Sequence, residues 1–192
     1  AHFINSNTSG LHLAVKILKD VNKWSDGDEV ITSPMTFVSS NHAIMYENLN
    51  PVFADVDEHL CLNPESVESL ITKKTKAVMF IGIGGNVGEL KRIVEICKKH
   101  NLKLILDAAH MAGTFIKDGD GGRHVGHEAD VTVFSFQSVK NLPTADSGMI
   151  CFQNGDYDNL CRKMSFLLLG YRSSRLAQPQ LLGIQFFSSE FG

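Results

Sequence analysis

A chain of 192 residues, 43% hydrophobic with a formal charge of -3, has the apolar content for a packed core and is not an intrinsically disordered segment. Its slight acidity, without any basic tract, argues against a protein that binds nucleic acid or a membrane surface through charge. No apolar run is long enough to span a bilayer and the opening AHFINSNTSG carries no signal-peptide pattern, so the expected setting is the cytoplasm.

Taken in chain order, the polar run Asn5-Ser6-Asn7-Thr8-Ser9-Gly10 leads into a helix marked by Leu11, Val15 and Leu18 at helical spacing. Strands are expected at Glu29–Ser33 and Pro51–Asp55. Asn63 followed by Pro64 reads as an N-cap with proline at the first helical position, opening PESVESLI. A strand at Lys76–Ile81, KAVMFI, is followed by the glycine-rich GIGGNVG. Behind it comes a helix, ELKRIVEICKKH, with Leu90, Ile93, Val94 and Cys97 at helical spacing.

Further strands are expected at Lys103–Asp107, Val131–Phe136 and Gly148–Phe152, with KDGDGGRH (Lys117–His124) as an exposed loop. The unbroken apolar runs KAVMFI and KLILD suit strands covered on both faces. Strands alternating with helices imply an α/β fold, a mostly parallel sheet between helices. After Gly170 the pattern degrades. The expected organisation is one large domain over residues 1–170, with 171–192 opening a segment towards a further domain, as in a fragment of a longer protein.

Four scattered cysteines, with no C-x-x-C pair, read as reduced buried thiols. His124 and His127 form an H-x-x-H that no carboxylate or cysteine completes, so no metal site is expected. GIGGNVG, between a strand and a helix, could bring backbone N–H groups to a phosphate, and Asp107 stands near where a ribose-binding acid would. That pattern would suit a nucleotide-binding oxidoreductase. Its spacing, however, is G-x-G-x-x-x-G, and two strand-and-helix units precede it, whereas the dinucleotide fingerprint opens its domain.

A second constellation competes. Lys140 stands in VTVFSFQSVKNLP (Val131–Pro143), only four residues past Phe136, and charged groups seldom follow a buried strand so closely. Asp107 closes another strand, and a helical turn beginning there would turn His110 the same way. Ser135 ends the strand before Lys140, and Thr8 and Ser9 stand where a helix N-terminus would hold an anion. Singly, these read as an N-cap acid, an interior histidine, helix-capping hydroxyls and a surface lysine. Together they suit pyridoxal 5'-phosphate: a lysine for its aldehyde, a carboxylate for its ring nitrogen, hydroxyls and amides for its phosphate.

The blocks NSNTSGLHLAV, GDEVITSPMTFVSSNHAI, PVFADVD, LDAAHMAG and FSFQSVKNL occur in the order found in the DegT/DnrJ/EryC1/StrS sugar aminotransferases, and the chain resembles that family up to about Gly170. It is most similar to the branch that aminates 4-keto sugars, the aminoarabinose type. The resemblance implies the large domain of a fold-type I enzyme, with Lys140 as the Schiff-base lysine, Asp107 as the partner of the ring nitrogen and His110 beside the ring. It further implies that Phe37 stacks on the ring and that Thr8, Ser9 and Ser135 hold the phosphate.

The implied partners are an amino donor, glutamate by analogy, and a nucleotide-linked keto sugar, within a homodimer serving cell-surface polysaccharide (lipopolysaccharide) or antibiotic-sugar synthesis. The family's sugar dehydratases carry a histidine in place of the lysine. Two departures stand out. Glycines occupy the loop positions where relatives show a histidine and an aromatic, and Asn7 stands where glycine is usual, which would alter the backbone approach to phosphate. Relatives are about twice as long, so the competing expectation is a catalytically incomplete remnant that binds the cofactor weakly or not at all.

Overall fold

The computed structural model describes residues 1–118 and 121–165. Along the chain run β1 (His2–Ile4), α1 (Asn7–Asn22), β2 (Glu29–Thr32), α2 (Val38–Met45), β3 (Asn50–Phe53), α3 (Pro64–Ser69), β4 (Thr75–Ile81) and α4 (Leu90–Lys99). They continue with β5 (Lys103–Ala108), β6 (Phe115–Asp118), β7 (Gly121–His124), β8 (Val131–Ser135), β9 (Gly148–Phe152) and α5 (Gly155–Ser165). Seven strands form one sheet in the order β1-β9-β8-β5-β4-β2-β3. β3, β2, β4, β5 and β8 are parallel, and β9 runs against both β8 and β1. The expected mostly parallel α/β sheet is therefore what the chain forms.

The unbroken apolar runs have the reason expected of them. Along β4, Ala77 and Met79 face one layer of helices while Val78 and Phe80 face the other; along β5, Ile105 opposes Leu104 and Leu106 in the same way. One layer is α1, α2 and α5, bringing Leu11, Leu18, Ile44 and Tyr157. The other is α3 and α4, bringing Val67, Leu90, Ile93 and Cys97. Burying a side chain such as Phe80 contributes on the order of 1.5–3 kcal/mol.

Expected and observed strand limits agree to within two residues. Asn63 caps α3 as its sequence implied, accepting from the Ser66 N–H at 2.8 Å. Four features differ from expectation. β1 is a three-residue strand held by pairing with β9. α2 buries Ser39, Ser40, Ala43 and Ile44, so half of its inward face is hydroxyl rather than hydrocarbon. α5 buries only Tyr157 and Cys161, too few for a visible stripe. Lys117–His124, expected as a loop, supplies the end of β6 and all of β7, paired antiparallel from Phe115↔His124 to Asp118↔Gly121. The expected boundary near Gly170 lies outside the described residues.

β3 is an edge strand carrying Pro51. At the other side of the molecule, α1 lies so close to the sheet that a Cβ on Gly10 would stand 2.2 Å from Ile4 Cδ1 and 2.6 Å from Val133 Cγ1. Gly10→Ala, which in an open helix gains up to about 1 kcal/mol, is expected here to destabilise the fold by about 1–3 kcal/mol through overpacking. Chemical denaturation of the two chains measures the difference.

Candidate active site

The parallel strands end at one edge of the sheet, where ligands collect in α/β folds. A cleft of about 330 Å³ opens there, lined by Thr8, Phe37, Asp107, His110, Ser135 and Lys140 among others. That volume is at the lower end of ligand pockets, roughly 300–1,000 Å³.

Asp107, at the end of β5, is 4% exposed. Its Oδ2 accepts from Ser40 Oγ at 2.7 Å, and Ser40 in turn contacts the Thr36 hydroxyl at 2.8 Å. Its Oδ1 accepts from the Ala109 N–H and from Asn7 Nδ2, each at 3.2 Å. Burial pushes the carboxyl above the ordinary aspartate range, opposed by Ser40, Ala109, Asn7 and the nearby His110.

No helix begins at Asp107. A turn closed by the Met111 N–H on the Ala108 carbonyl at 2.9 Å delivers His110 to the cleft instead. His110 Nδ1 accepts the Gly84 N–H at 3.2 Å, and Nε2 lies 3.0 Å from Lys140 Nζ. With Nδ1 accepting, the proton of a neutral ring sits on Nε2, on the side of Lys140. Burial, then the Lys140 charge, push His110 below the ordinary histidine value, while Asp107 opposes them. The neutral ring therefore persists where an ordinary histidine would charge. Gly84 presents its N–H from a left-handed conformation, φ 62°, which explains the glycine in the loop better than a phosphate turn does.

Lys140 belongs to a loop tied at its base, with Phe136 N–H donating to the Ser147 carbonyl and Thr144 N–H to the Phe136 carbonyl, both at 2.8 Å. Ser135 is buried at the end of β8. Phe37 is 74% exposed at the lip of the cleft, so it is not a core phenylalanine. Ser6, and neither Thr8 nor Ser9, is the N-cap of α1, accepting from the Ser9 N–H at 3.2 Å. Thr8 is exposed beside the cleft, whereas the Ser9 hydroxyl is directed to Asn5 Oδ1 and the Ser6 carbonyl and does not line it. The structure thus gathers Thr8, Phe37, Asp107, His110, Ser135 and Lys140, and leaves Ser9 to its own helical turn. Sequence reasoning missed Ser6, Thr36, Gln137 and Asp146 in the cleft and Ser40 behind it; hydroxyls and amides in irregular segments carry no spacing that marks them.

The donor set fits pyridoxal 5'-phosphate: a buried acid for the ring nitrogen, a histidine and a lysine across from it, an aromatic at the lip, and Thr8 with the first turn of α1 for an anion. Elsewhere the two ring nitrogens of His124 meet the Ala112 carbonyl and the Gly126 N–H, both at 3.1 Å.

Sheet order and site together define the fold class of the fold-type I pyridoxal-phosphate enzymes. The chain belongs to the DegT/DnrJ/EryC1/StrS aminotransferase family, whose model matches residues 1–184. It is 37% identical to the spore coat polysaccharide biosynthesis protein SpsC of Bacillus subtilis, over 84% of this chain and 40% of that protein. The aminotransferase TlmJ of Streptoalloteichus hindustanus superposes with a TM-score of 0.76 at 34% identity, over 84% of this chain and 42% of TlmJ. PseC of Helicobacter pylori, an aminotransferase of pseudoaminic acid biosynthesis, gives 0.76 at 27% identity, over 84% of this chain and 42% of PseC. The chain spans about two fifths of the length of its curated relatives, 40% of SpsC.

Two outcomes are expected. The raised folded-state value of Asp107 means that its buried charge costs stability, fully so above that value and not at all below the unfolded value of about 3.9. Asp107→Asn should therefore raise the melting temperature of the cofactor-free chain by a few degrees at pH 8, with the gain vanishing in acid. Nitrogen NMR of His110 should show a pyridine-like Nδ1 and a pyrrole-like Nε2; the reverse pattern contradicts the Gly84 contact.

Proposed function

We propose that this chain is the cofactor-binding part of an aminotransferase that moves an amino group, from glutamate by family analogy, onto a nucleotide-linked keto sugar. The observation that carries the proposal is the meeting of Asp107, His110 and Lys140, from the end of β5, the turn after it and the loop after β8, in one cleft at the strand ends. Pyridoxal phosphate, when bound, supplies an aldehyde and a ring that accepts electrons. The chain's own residues do the rest.

Lys140 Nζ would be the amine that holds the aldehyde and, as a free amine, the base that moves a proton at the donor carbon. Asp107 would hold the ring nitrogen in its protonated form through a carboxylate–cation pair. His110 would stand beside it and Phe37 would lie against the ring. Thr8, Ser135 and the first turn of α1, to which Ser9 belongs, would hold the phosphate. In the homodimer of the family pattern, the partner subunit and the small domain would complete the substrate side. Products of this kind serve cell-surface polysaccharides or antibiotics, and the setting is cytoplasmic. Among the described residues no helix is long and apolar enough to cross a membrane.

A second reading is kept because the chain matches only two fifths of its relatives: a remnant whose open cleft admits water and holds the cofactor weakly. The nucleotide-binding oxidoreductase loses its basis, since Gly84 donates to His110 and Asp107 is engaged by Ser40, Asn7 and Ala109. The deciding experiment incubates the chain and Lys140→Ala with pyridoxal phosphate, reduces with borohydride and maps peptides by mass. A new absorbance band and an adduct on Lys140, both lost in Lys140→Ala, are expected; their absence in the parent favours the remnant, as does a monomer on sizing. In the active protein, Asp107→Asn should lower turnover by at least 10²-fold (about 2.7 kcal/mol or more).

A further inference from the structure

A residue in the first turn of a helix normally turns its side chain to solvent, but Asn7 turns inward. It is 8% exposed, and its Nδ2 donates to Asp107 Oδ1 at 3.2 Å and to the Val133 carbonyl at 3.1 Å. Both partners are pure acceptors, so only one setting of the amide satisfies them, with the NH2 inward and both protons engaged. One side chain thus ties the start of α1 to the end of β5 and the middle of β8. The resemblance to the family places a glycine here, which has no side chain to make either bond. The departure adds a contact to the acid.

We propose that Asn7 is a positioning residue that fixes the Asp107 carboxylate in the cleft and supplies a hydrogen bond to its charged form. The proposal rests on the aminotransferase reading for the role of Asp107, not for the bond itself. Oδ2 is already held by Ser40, backed by Thr36. Oδ1 has two donors, and without Asn7 the Ala109 N–H alone holds it. A carboxyl is soft about its terminal torsion, so loss of one oxygen's partner loosens its aim as well as its charge. Among the described residues, the other titratable groups of the cleft are His110, Lys140 and Asp146, from the turn after β5 and the loop after β8. The starts of α1 and α2 and the end of β4 bring none to it. A neutral Asp107 cannot pair with a cationic ring nitrogen, so Asn7 acts on the cofactor through Asp107.

The test uses the full chain without cofactor, with carbon-labelled aspartate and nitrogen-labelled asparagine followed by NMR against pH. In the parent, the Asn7 side-chain amide should titrate with the midpoint of the Asp107 carboxyl; an amide that does not respond overturns the proposal without any variant. Asn7→Leu fills nearly the same space and donates nothing. In it the Asp107 midpoint should rise by about one pH unit or more, as loss of a hydrogen bond to a charged group implies. Asn7→Gly should do the same. An unshifted midpoint in a variant that still melts cooperatively reduces Asn7 to packing and overturns the proposal. In a second arm, affinity for pyridoxal phosphate should fall about tenfold in Asn7→Leu while the Lys140 adduct still forms. If the parent forms no adduct, the aminotransferase reading fails, and the titration still decides the role of Asn7.

Discussion

A carboxylate placed where water barely reaches it is the constraint around which the rest of this molecule is arranged. Asp107 sits at the end of a strand covered on both faces, in surroundings that favour its neutral form. Its charge is useful only if donors are already in place when a cationic partner arrives. The fold provides them from three directions: Ser40 from α2, Asn7 from α1 and a main-chain N–H from the turn that follows the strand. Two helices distant in sequence are thereby committed to the same few ångströms, and the cleft is shaped as a result.

The two-layer packing makes that commitment possible. Alternate residues of β4 and β5 bury into opposite layers, so a one-residue slip would carry each set into the other layer and undo the packing of both. Their ends are fixed along with them, and the acid inherits that rigidity. Lys140, by contrast, stands in a loop and owes its place to a short base of backbone bonds around Phe136 and to the ring of His110. The buried acid thus comes from the sheet and the lysine from a loop.

Much of this was legible in the residues. KAVMFI and KLILD announce strands buried on both sides because nothing else suits an unbroken apolar run of that length between turns. Lys140 was legible for the opposite reason, as a charge out of keeping with the strand before it. What could not be read is the direction of small polar side chains. Asn7 has the same letter whether it faces solvent or an acid, and Ser9 looks as fit for an anion as Thr8 until its hydroxyl is seen to turn back on Asn5. α2 escaped notice because Ser39 and Ser40 occupy inward positions where hydropathy looks for hydrocarbon. The β6–β7 pair escaped because its glycines read as punctuation.

Pro51 has a consequence of another kind. On β3 the N–H groups of Asn50 and Ala54 point inward, to the carbonyls of Asp28 and Thr32 on the side of β2, so the residues between them at odd positions face the open side of the sheet. Pro51 holds one of those outward positions and has no hydrogen to offer, which leaves Phe53 as the outward donor of the strand. A sheet that ends in an intact ladder invites another chain to continue it, and during synthesis the nearest chain is another nascent copy. A single missing proton on the β3 rim interrupts that template, so the sheet can be apolar within while this edge resists growing into fibres.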